Sequence, residues 1–241
     1  MRIITWNCNM AFRKKALSIL DYNPDIVVVP ECEHPDKLIF EEKVPRPNDC
    51  VWFGKNQNKG LAILSYSDFK FKVMRGHDEN LRMIVPLTVK NDQLQFNLLA
   101  IWANNPGDKD GQYITQVWKA IHKYNRLLSR PQTILIGDFN SNKIWDRPRR
   151  VGNHTHVVDH LMKKKIQSLY HLHFNQNQGE EMHPTFYLYK QKEKPYHLDY
   201  CFASSDLANR LSGIEVGTYD QWIKYSDHVP MIFTFDLNKT N

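Results

Sequence analysis

The chain has 241 residues, with 32 Lys plus Arg against 26 Asp plus Glu, and a formal net charge of +6 with His neutral. Its 41% hydrophobic and 24% charged residues match an ordinary globular protein and exclude collagen, coiled coil and bulk disorder. No run of about 18 apolar residues occurs, so no membrane-spanning helix and no stable membrane insertion are expected, and a chain this long buries roughly 70–75% of its unfolded surface without a disulfide or metal staple.

Strand and helix signals alternate along the chain. Residues 2–8 (RIITWNC) read as a strand. Residues 11–21 place Phe12, Ala16, Ile19 and Leu20 on one helical face, and Asn23-Pro24 stops that helix. Residues 25–30 (DIVVVP) form the continuous apolar run of a strand covered on both faces. Strands follow at 60–66, 82–90 and 94–102, with Asn91-Asp92 as the turn between the last two. Residues 112–128 carry Tyr113, Val117, Ala120, Ile121, Tyr124 and Leu128 at helical spacing. Residues 132–137 (QTILIG) are a buried strand, 156–167 a helix, and 197–204, 214–219 and 230–236 strands. The stretches 142–155 and 175–196 read as loop insertions. No linker, low-complexity tract or tandem repeat divides the sequence, so one α/β domain over residues 1–241 is expected, with mixed strand order.

Cys8, Cys32, Cys50 and Cys201 are scattered, with no C-x-x-C pair to suggest a zinc ribbon. Buried, reduced thiols and an N-terminus without a signal-like apolar stretch make the cytoplasm the expected compartment. The positive charge favours a polyanionic partner, nucleic acid or an anionic membrane surface.

Polar residues gather where strands end. Asn7 and Asn9 follow the first strand, Glu31 the second, and Asp138, Asn140 and Ser141 follow QTILIG. Asp199 opens one apolar strand, and Asp227-His228 immediately precedes the last. Taken singly, each is an ordinary turn or solvated residue. Together they mark the strand ends at which α/β sheets bind ligands. Oxygen donors without cysteine suit Mg²⁺ or Mn²⁺, and His beside carboxylates suits acid–base or phosphate-stabilising work.

In order, TWNCN, PECE, NKGLAILS, GDFNS, HLDY and SDHVP resemble the successive motifs of the endonuclease/exonuclease/phosphatase superfamily, the deoxyribonuclease I and exonuclease III fold. The resemblance runs through nearly the whole chain. It implies a four-layered α/β sandwich, two mixed β-sheets flanked by helices, and metal-dependent hydrolysis of a phosphate ester with Mg²⁺ or Mn²⁺. It also implies roles. Glu31 would be the main metal ligand, with Asn7 nearby and Asp227 beside the metal. Asp138 would orient or deprotonate the attacking water, Asn140 would hold phosphate or that water, and His228 would contact the scissile phosphate. Asp199 would orient His228, and this anion is expected to raise the His228 pKa. Asn9 and Asn105 would touch phosphate or metal-bound water. Two positions depart from the pattern: Trp102 stands where the family usually has Tyr or His, and would bind substrate by stacking on its base or sugar or by donating to phosphate, unless it only caps the core; and Pro30-Glu31-Cys32 replaces Gln-Glu-Thr.

Phe186, Tyr187, Tyr196 and Leu198 surround Asp199 much as aromatic residues line the sugar pocket of the family's abasic-site nucleases; equally, they could pack their loop against the sheet. Lys190, Lys192 and Lys194 are offset by Glu193, which leaves residues 146–150 (DRPRR) and 163–165 (KKK) as the candidates for tracking a phosphate backbone. The first reading is a nuclease or nucleic-acid phosphodiesterase acting on DNA, at abasic sites or ends, or on RNA. The second is a small-molecule or phosphoinositide phosphatase of the same superfamily. A catalytically silent binding protein is disfavoured, because Glu31, Asp138, Asn140, Asp199 and His228 are all present. A monomer is the default expectation.

Overall fold

The computed structural model describes residues 1–38, 44–81, 83–104 and 113–239. In chain order its strands are β1 (Arg2–Thr5), β2 (Ile26–Cys32), β3 (Asp49–Asn56), β4 (Lys59–Ser65), β5 (Lys70–Val73), β6 (Ile84–Lys90) and β7 (Gln95–Trp102). They continue with β8 (Thr133–Asp138), β9 (Ile166–Ser168), β10 (Phe186–Tyr187), β11 (Pro195–Tyr196), β12 (Asp199–Ser204), β13 (Leu211–Val216) and β14 (Met231–Phe235). Four helices matter below: α1 (Ala16–Leu20), α2 (Ile114–Lys123), α3 (His154–Lys163) and α4 (Leu169–Phe174).

Two six-stranded sheets form, ordered β13-β14-β1-β2-β4-β3 and β5-β6-β7-β8-β12-β9, while β10 and β11 make a separate ribbon. Each sheet is mixed: β1–β2 and β7–β8 run parallel within otherwise antiparallel order. Strand alternation divides neighbouring side chains between layers. Ile3, Val28, Ile63 and Phe233 of the first sheet meet Leu87, Leu98, Ile136 and Cys201 of the second in one buried cluster. The alternate residues Ile4, Val27 and Ala62 pack outward against Phe12, Ala16 and Ile19. Leu99, Ile101 and Leu135 pack outward against Val117, Ile121, Val157 and Leu161. The layers are therefore helix, sheet, sheet, helix, and the apolar runs of β2 and β8 reflect burial on both faces.

Several local expectations shift. β1 ends at Thr5, although the Trp6 and Cys8 amides still donate to Val28 and Pro30 of β2. The helix expected over 11–21 divides into a 3-10 turn, Phe12–Lys14, and α1. The 156–167 helix begins earlier, ends at Lys163 and gives way to β9. The 175–196 insertion contains the β10–β11 ribbon, which pairs Phe186 with Tyr196. β3 and β5 are edge strands that were not among the expected strands. All four cysteines are free, with Cys8, Cys32 and Cys201 buried. Among the described residues no helix is long and apolar enough to cross a membrane.

Candidate active site

Asp138 closes β8 and Asp199 opens β12, and the antiparallel register sets them directly opposite each other. Opposed residues share a face of the sheet, so two fully buried carboxylates meet at one sheet end. The backbone before Asp138 can be occupied only by glycine: Gly137 has φ +142, and a Cβ there would collide with the Ile101 carbonyl of β7. Thr185 supports the other carboxylate, its hydroxyl accepting from the amides of Leu198 and Asp199 at 2.9 and 3.1 Å.

His228 arrives from the other sheet, just before β14. A bridge to Phe186 and a bond from Trp6 Nε1 to its carbonyl, 3.0 Å, fix its backbone. Its Nδ1 donates to Asp199 Oδ2 at 2.8 Å, because a carboxylate only accepts, and Nε2 faces Asp138 Oδ2 at 4.0 Å. Burial alone would push the imidazole pKa down; the adjacent Asp199 carboxylate, helped by Asp138 and Asp227, carries it up instead. Burial, then the Asp199 charge, pushes the Asp138 carboxyl up, against His228 and the donors Asn7 and Asn140. Asp138 accepts from Asn7 Nδ2 at 3.0 Å, from the Asn140 amide at 2.8 Å and from Asn140 Nδ2 at 3.0 Å. Asn140 adopts φ +47, a left-handed conformation that Asn tolerates, and Nδ2 also reaches the Ala103 carbonyl at 2.9 Å. Asp199 Oδ1 is buried with no hydrogen-bond partner.

The first sheet supplies Glu31, Asn7 and Asp227 as well as His228. Pairing of β2 with β4 skips from Pro30–Leu61 to Cys32–Gly60, so Glu31 is the extra residue of a bulge, at φ +63. Such bulges re-aim a side chain beside a site, and Glu31 lines the cleft. Lys59 Nζ lies 2.9 Å from its Oε2. Asp227 Oδ1 accepts from Asn9 Nδ2 at 3.2 Å, and the Asn9 amide donates to Asn7 Oδ1 at 3.1 Å. Ser226 ties the loop down, donating to the Asn7 carbonyl at 2.8 Å and accepting from the His228 amide at 3.0 Å.

Asn7, Glu31, Asn140, Asp227 and His228 open on one cleft of about 880 Å³, also bordered by Trp102 and Phe186. Asp138 and Asp199 stand behind it. Trp102 is 6% exposed and belongs to the inter-sheet core, while Lys59 Nζ sits 5.4 Å from its ring centroid. Phe186 packs 4.7 Å from the His228 ring, then 6.4 Å from Tyr196, which lies 5.0 Å from Trp145. Tyr187 is buried in the outer cluster of the first sheet and Leu198 is buried, so the aromatic wall is Phe186 with Tyr196 behind it. Asn105 lies outside the described residues. Arg147, Arg149, Arg150 and Lys163 to Lys165 do not border the cleft. Lys59, Thr185, Ser226 and Trp145 were not singled out from sequence. Lys59 lies within the NKGLAILS motif, but its place beside Glu31 depends on the pairing of β2 with β4 and left no signal in the sequence.

Asp138, Asp199 and His228 each bring a ligand atom within 4.8 Å of the others, a cluster with metal-binding chemistry. All three are nonetheless buried and bonded among themselves or to asparagines. Glu31, Asn7 and Asp227, the oxygen donors expected beside a metal, all border the cleft, as do Asn56, Glu79 and Asn104.

With this geometry the chain falls among the hydrolases of phosphate esters, and the sequence model of the endonuclease/exonuclease/phosphatase family matches residues 4–228. The chain belongs to that family. No curated protein matches it by sequence. Among solved structures it resembles the endonuclease domain of TRAS1, a telomere-specific non-LTR retrotransposon, at TM-score 0.66 and 16% identity over 99% of both chains. It also resembles the 3′ phosphatase NExo from Neisseria, bound to a product DNA hairpin, at TM-score 0.69 and 18% identity over 98% of this chain and 99% of that one. An AP endonuclease from Archaeoglobus fulgidus is similar at TM-score 0.66 and 19% identity, over 98% and 100%.

Proposed function

We propose that the protein is a divalent-metal-dependent phosphodiesterase that hydrolyses nucleic acid. The observation that carries this reading is that two unlike sets of residues meet at one cleft. One is the Asp138, Asn140, Asp199 and His228 constellation; the other is the oxygen donors Glu31, Asn7 and Asp227. The second set fits a hard cation: it offers carboxylate and amide oxygen, no thiol borders the cleft, and Mg²⁺ or Mn²⁺ prefers that set. Bound there, the ion would neutralise phosphate charge and make water more acidic.

The protein's own groups account for the remaining chemistry. Asp199 holds His228 charged and aimed, so that Nε2–H donates to a phosphate oxygen as negative charge builds on it. Asp138 has a raised proton affinity and lies 4.0 Å across from that nitrogen, where it accepts the proton of the attacking water. Asn7 and Asn140 donate to Asp138 and hold its carboxylate in the plane the transfer requires. Asn9 fixes both Asn7 and Asp227. Phe186 and Tyr196 wall the sugar side, and Trp102 closes the floor. The net charge of +6 and the likeness to proteins described as acting on DNA support nucleic acid over a soluble phosphoester. The test is a panel of abasic duplex, nicked duplex, single-stranded DNA, RNA and small phosphoesters, each with Mg²⁺, Mn²⁺ or EDTA. Metal-dependent cleavage confined to nucleic acids is the expected result. Undiminished hydrolysis after metal stripping overturns the cofactor, and turnover of small phosphoesters alone overturns the substrate.

A further inference from the structure

A second groove of about 880 Å³ lies away from the cleft, between edge strand β5 and the C-terminal end of α2. Among the described residues, seven Lys or Arg side chains line it and no Asp or Glu does. Each is exposed. Register explains their convergence. In KFKV, Phe71 and Val73 turn toward the inter-sheet core while Lys70 and Lys72 point to the other face. Lys70 pairs directly with Lys90 of β6, and such opposed like charges destabilise a sheet. Arg126 and Arg130 overhang this face from the turns after α2.

Ordinary explanations cover only part of the set. Lysines on an edge strand discourage edge-to-edge pairing, which accounts for Lys70 and Lys72 but not for Lys90 on the inner strand. A helix C-terminus favours cations, which accounts for Lys123, already 3.4 Å from Asp78. Lys72, Lys90, Arg126 and Arg130 make no ion pair among the described residues. None of the exposed large apolar side chains lines the groove, so it lacks the wedge that inserts into a bilayer. It offers no exposed ring for stacking a base either. A concave, purely cationic surface matches a repeating phosphate backbone.

Its position relates it to the cleft. β6 begins beside the site, Ile84 opposite Ile101, and ends at Lys90 opposite Gln95. Seven strand residues span about 20 Å, which is roughly six nucleotides at about 3.4 Å per phosphate. The chain joins the two places: Arg75 and Gly76 line the groove, His77 and Glu79 the cleft.

We infer that this groove is a second, sequence-independent nucleic-acid backbone site that holds a flank of the substrate roughly six nucleotides from the scissile phosphate. The inference rests on the nuclease reading above. Its test is the fourfold variant Lys72→Gln, Lys90→Gln, Arg126→Gln, Arg130→Gln, all at exposed positions outside the cleft. Binding of duplexes of about 30 and about 8 base pairs is measured over a salt series with EDTA present, alongside the melting temperature and cleavage of the short duplex. The variant is expected to lose about tenfold or more in affinity for the long duplex, with a log–log salt slope shallower by about 3, while short-duplex cleavage and melting stay unchanged. Equal long-duplex affinity in both proteins, where wild type does bind and cut, overturns the groove and leaves the nuclease reading intact. Failure of wild type to bind or cut either duplex overturns both. Loss of binding only to phosphatidylserine vesicles in the variant assigns the groove to a membrane and overturns the inference.

Discussion

Two buried polar clusters lie within a few residues of each other on β12, and they are built on opposite principles. At Asp199, two carboxylates are forced together by strand register, one imidazole bridges them, and Asp199 Oδ1 has no partner. Behind Tyr200, the Glu181 carboxylate instead receives His171 Nε2 at 2.9 Å, Asn142 Nδ2 at 3.0 Å and the Gly179 amide at 2.9 Å. Burial would raise the Glu181 pKa, but these donors overcome it and pull it to about 2. His197, pushed to about 4 mainly by burial, stays neutral and donates Nδ1–H to the His183 carbonyl at 2.7 Å. The comparison separates structure from chemistry. A buried anion satisfied by fixed donors holds one proton state and stiffens its surroundings. Asp138, crowded against the Asp199 charge in a buried site, keeps a proton affinity raised toward neutrality, which is what transfer requires.

The largest expected effects break the first cluster. His228→Ala and Asp138→Asn should each lower turnover by at least about 10²-fold, measured at a temperature where each variant remains folded. Asp199→Asn should act through His228, so the double variant Asp199→Asn, His228→Ala should be about as impaired as His228→Ala alone. Additive losses in a steady-state comparison of the three would show that the pair is not a unit.

Breaking the second cluster should reverse the pattern. Glu181→Ala removes the acceptor shared by three part-buried donors, of which Asn142 Nδ2 keeps the His197 carbonyl, so chemical denaturation should show a loss of about 1–3 kcal/mol. Turnover measured well below the melting temperature should fall far less than in His228→Ala. A hundredfold loss at unchanged stability would move Glu181 into the catalytic machinery.

Acid sharpens the same distinction. The folded-state pKa of His197 is depressed below its ordinary value, so the unfolded chain takes the proton first as pH falls. Stability is then lost between about pH 6.5 and 4. The Glu181 pKa is also depressed, and its contribution is lost below about pH 4.5, toward its folded value of about 2. Denaturation midpoints should therefore decline in two stages on acidification, and His197→Gln should flatten the first. An unchanged profile in that variant would remove His197 as the cause.

How much of this could be read from the sequence follows from what each contact requires. The strand-end residues were legible because Glu31, Asp138, Asp199 and Asp227 interrupt or border apolar runs that fix where the strands lie. The bulge that turns Glu31 toward the cleft was not, since it depends on how β2 pairs with β4. The Glu181 cluster drew on Asn142, His171 and His197, which lie in segments with little apolar periodicity to reveal their facing. β3 and β5 escaped for other reasons: DCVWFGKN lacks alternation, and KFKV alternates but is only four residues long. The basic groove was invisible because its cations come from three separated segments, none of them a run as prominent as residues 146–150 or 163–165.

The smallest expected effect on turnover concerns Trp102, which stands where the family usually has Tyr or His. Its ring is 6% exposed and packs into the inter-sheet cluster, while Lys59 lies over its face and also meets Glu31. A ring in this position works mainly as a surface. It fills the floor of the cleft and holds the ammonium beside Glu31 by its π face, an attraction of about 0.5–2 kcal/mol. Phenylalanine keeps an apolar ring, a weaker π face and no N–H. Trp102→Phe should therefore keep turnover within a few-fold of wild type and lower stability by about 1–3 kcal/mol, the range for a shape change in a packed core. Trp102→Ala should instead lose about 3–5 kcal/mol of stability from the cavity it opens. If the indole N–H were the phosphate donor, the two variants would lose turnover alike, by about a hundredfold. Kinetics of both proteins at a temperature where each remains folded decide between a supporting surface and a donor.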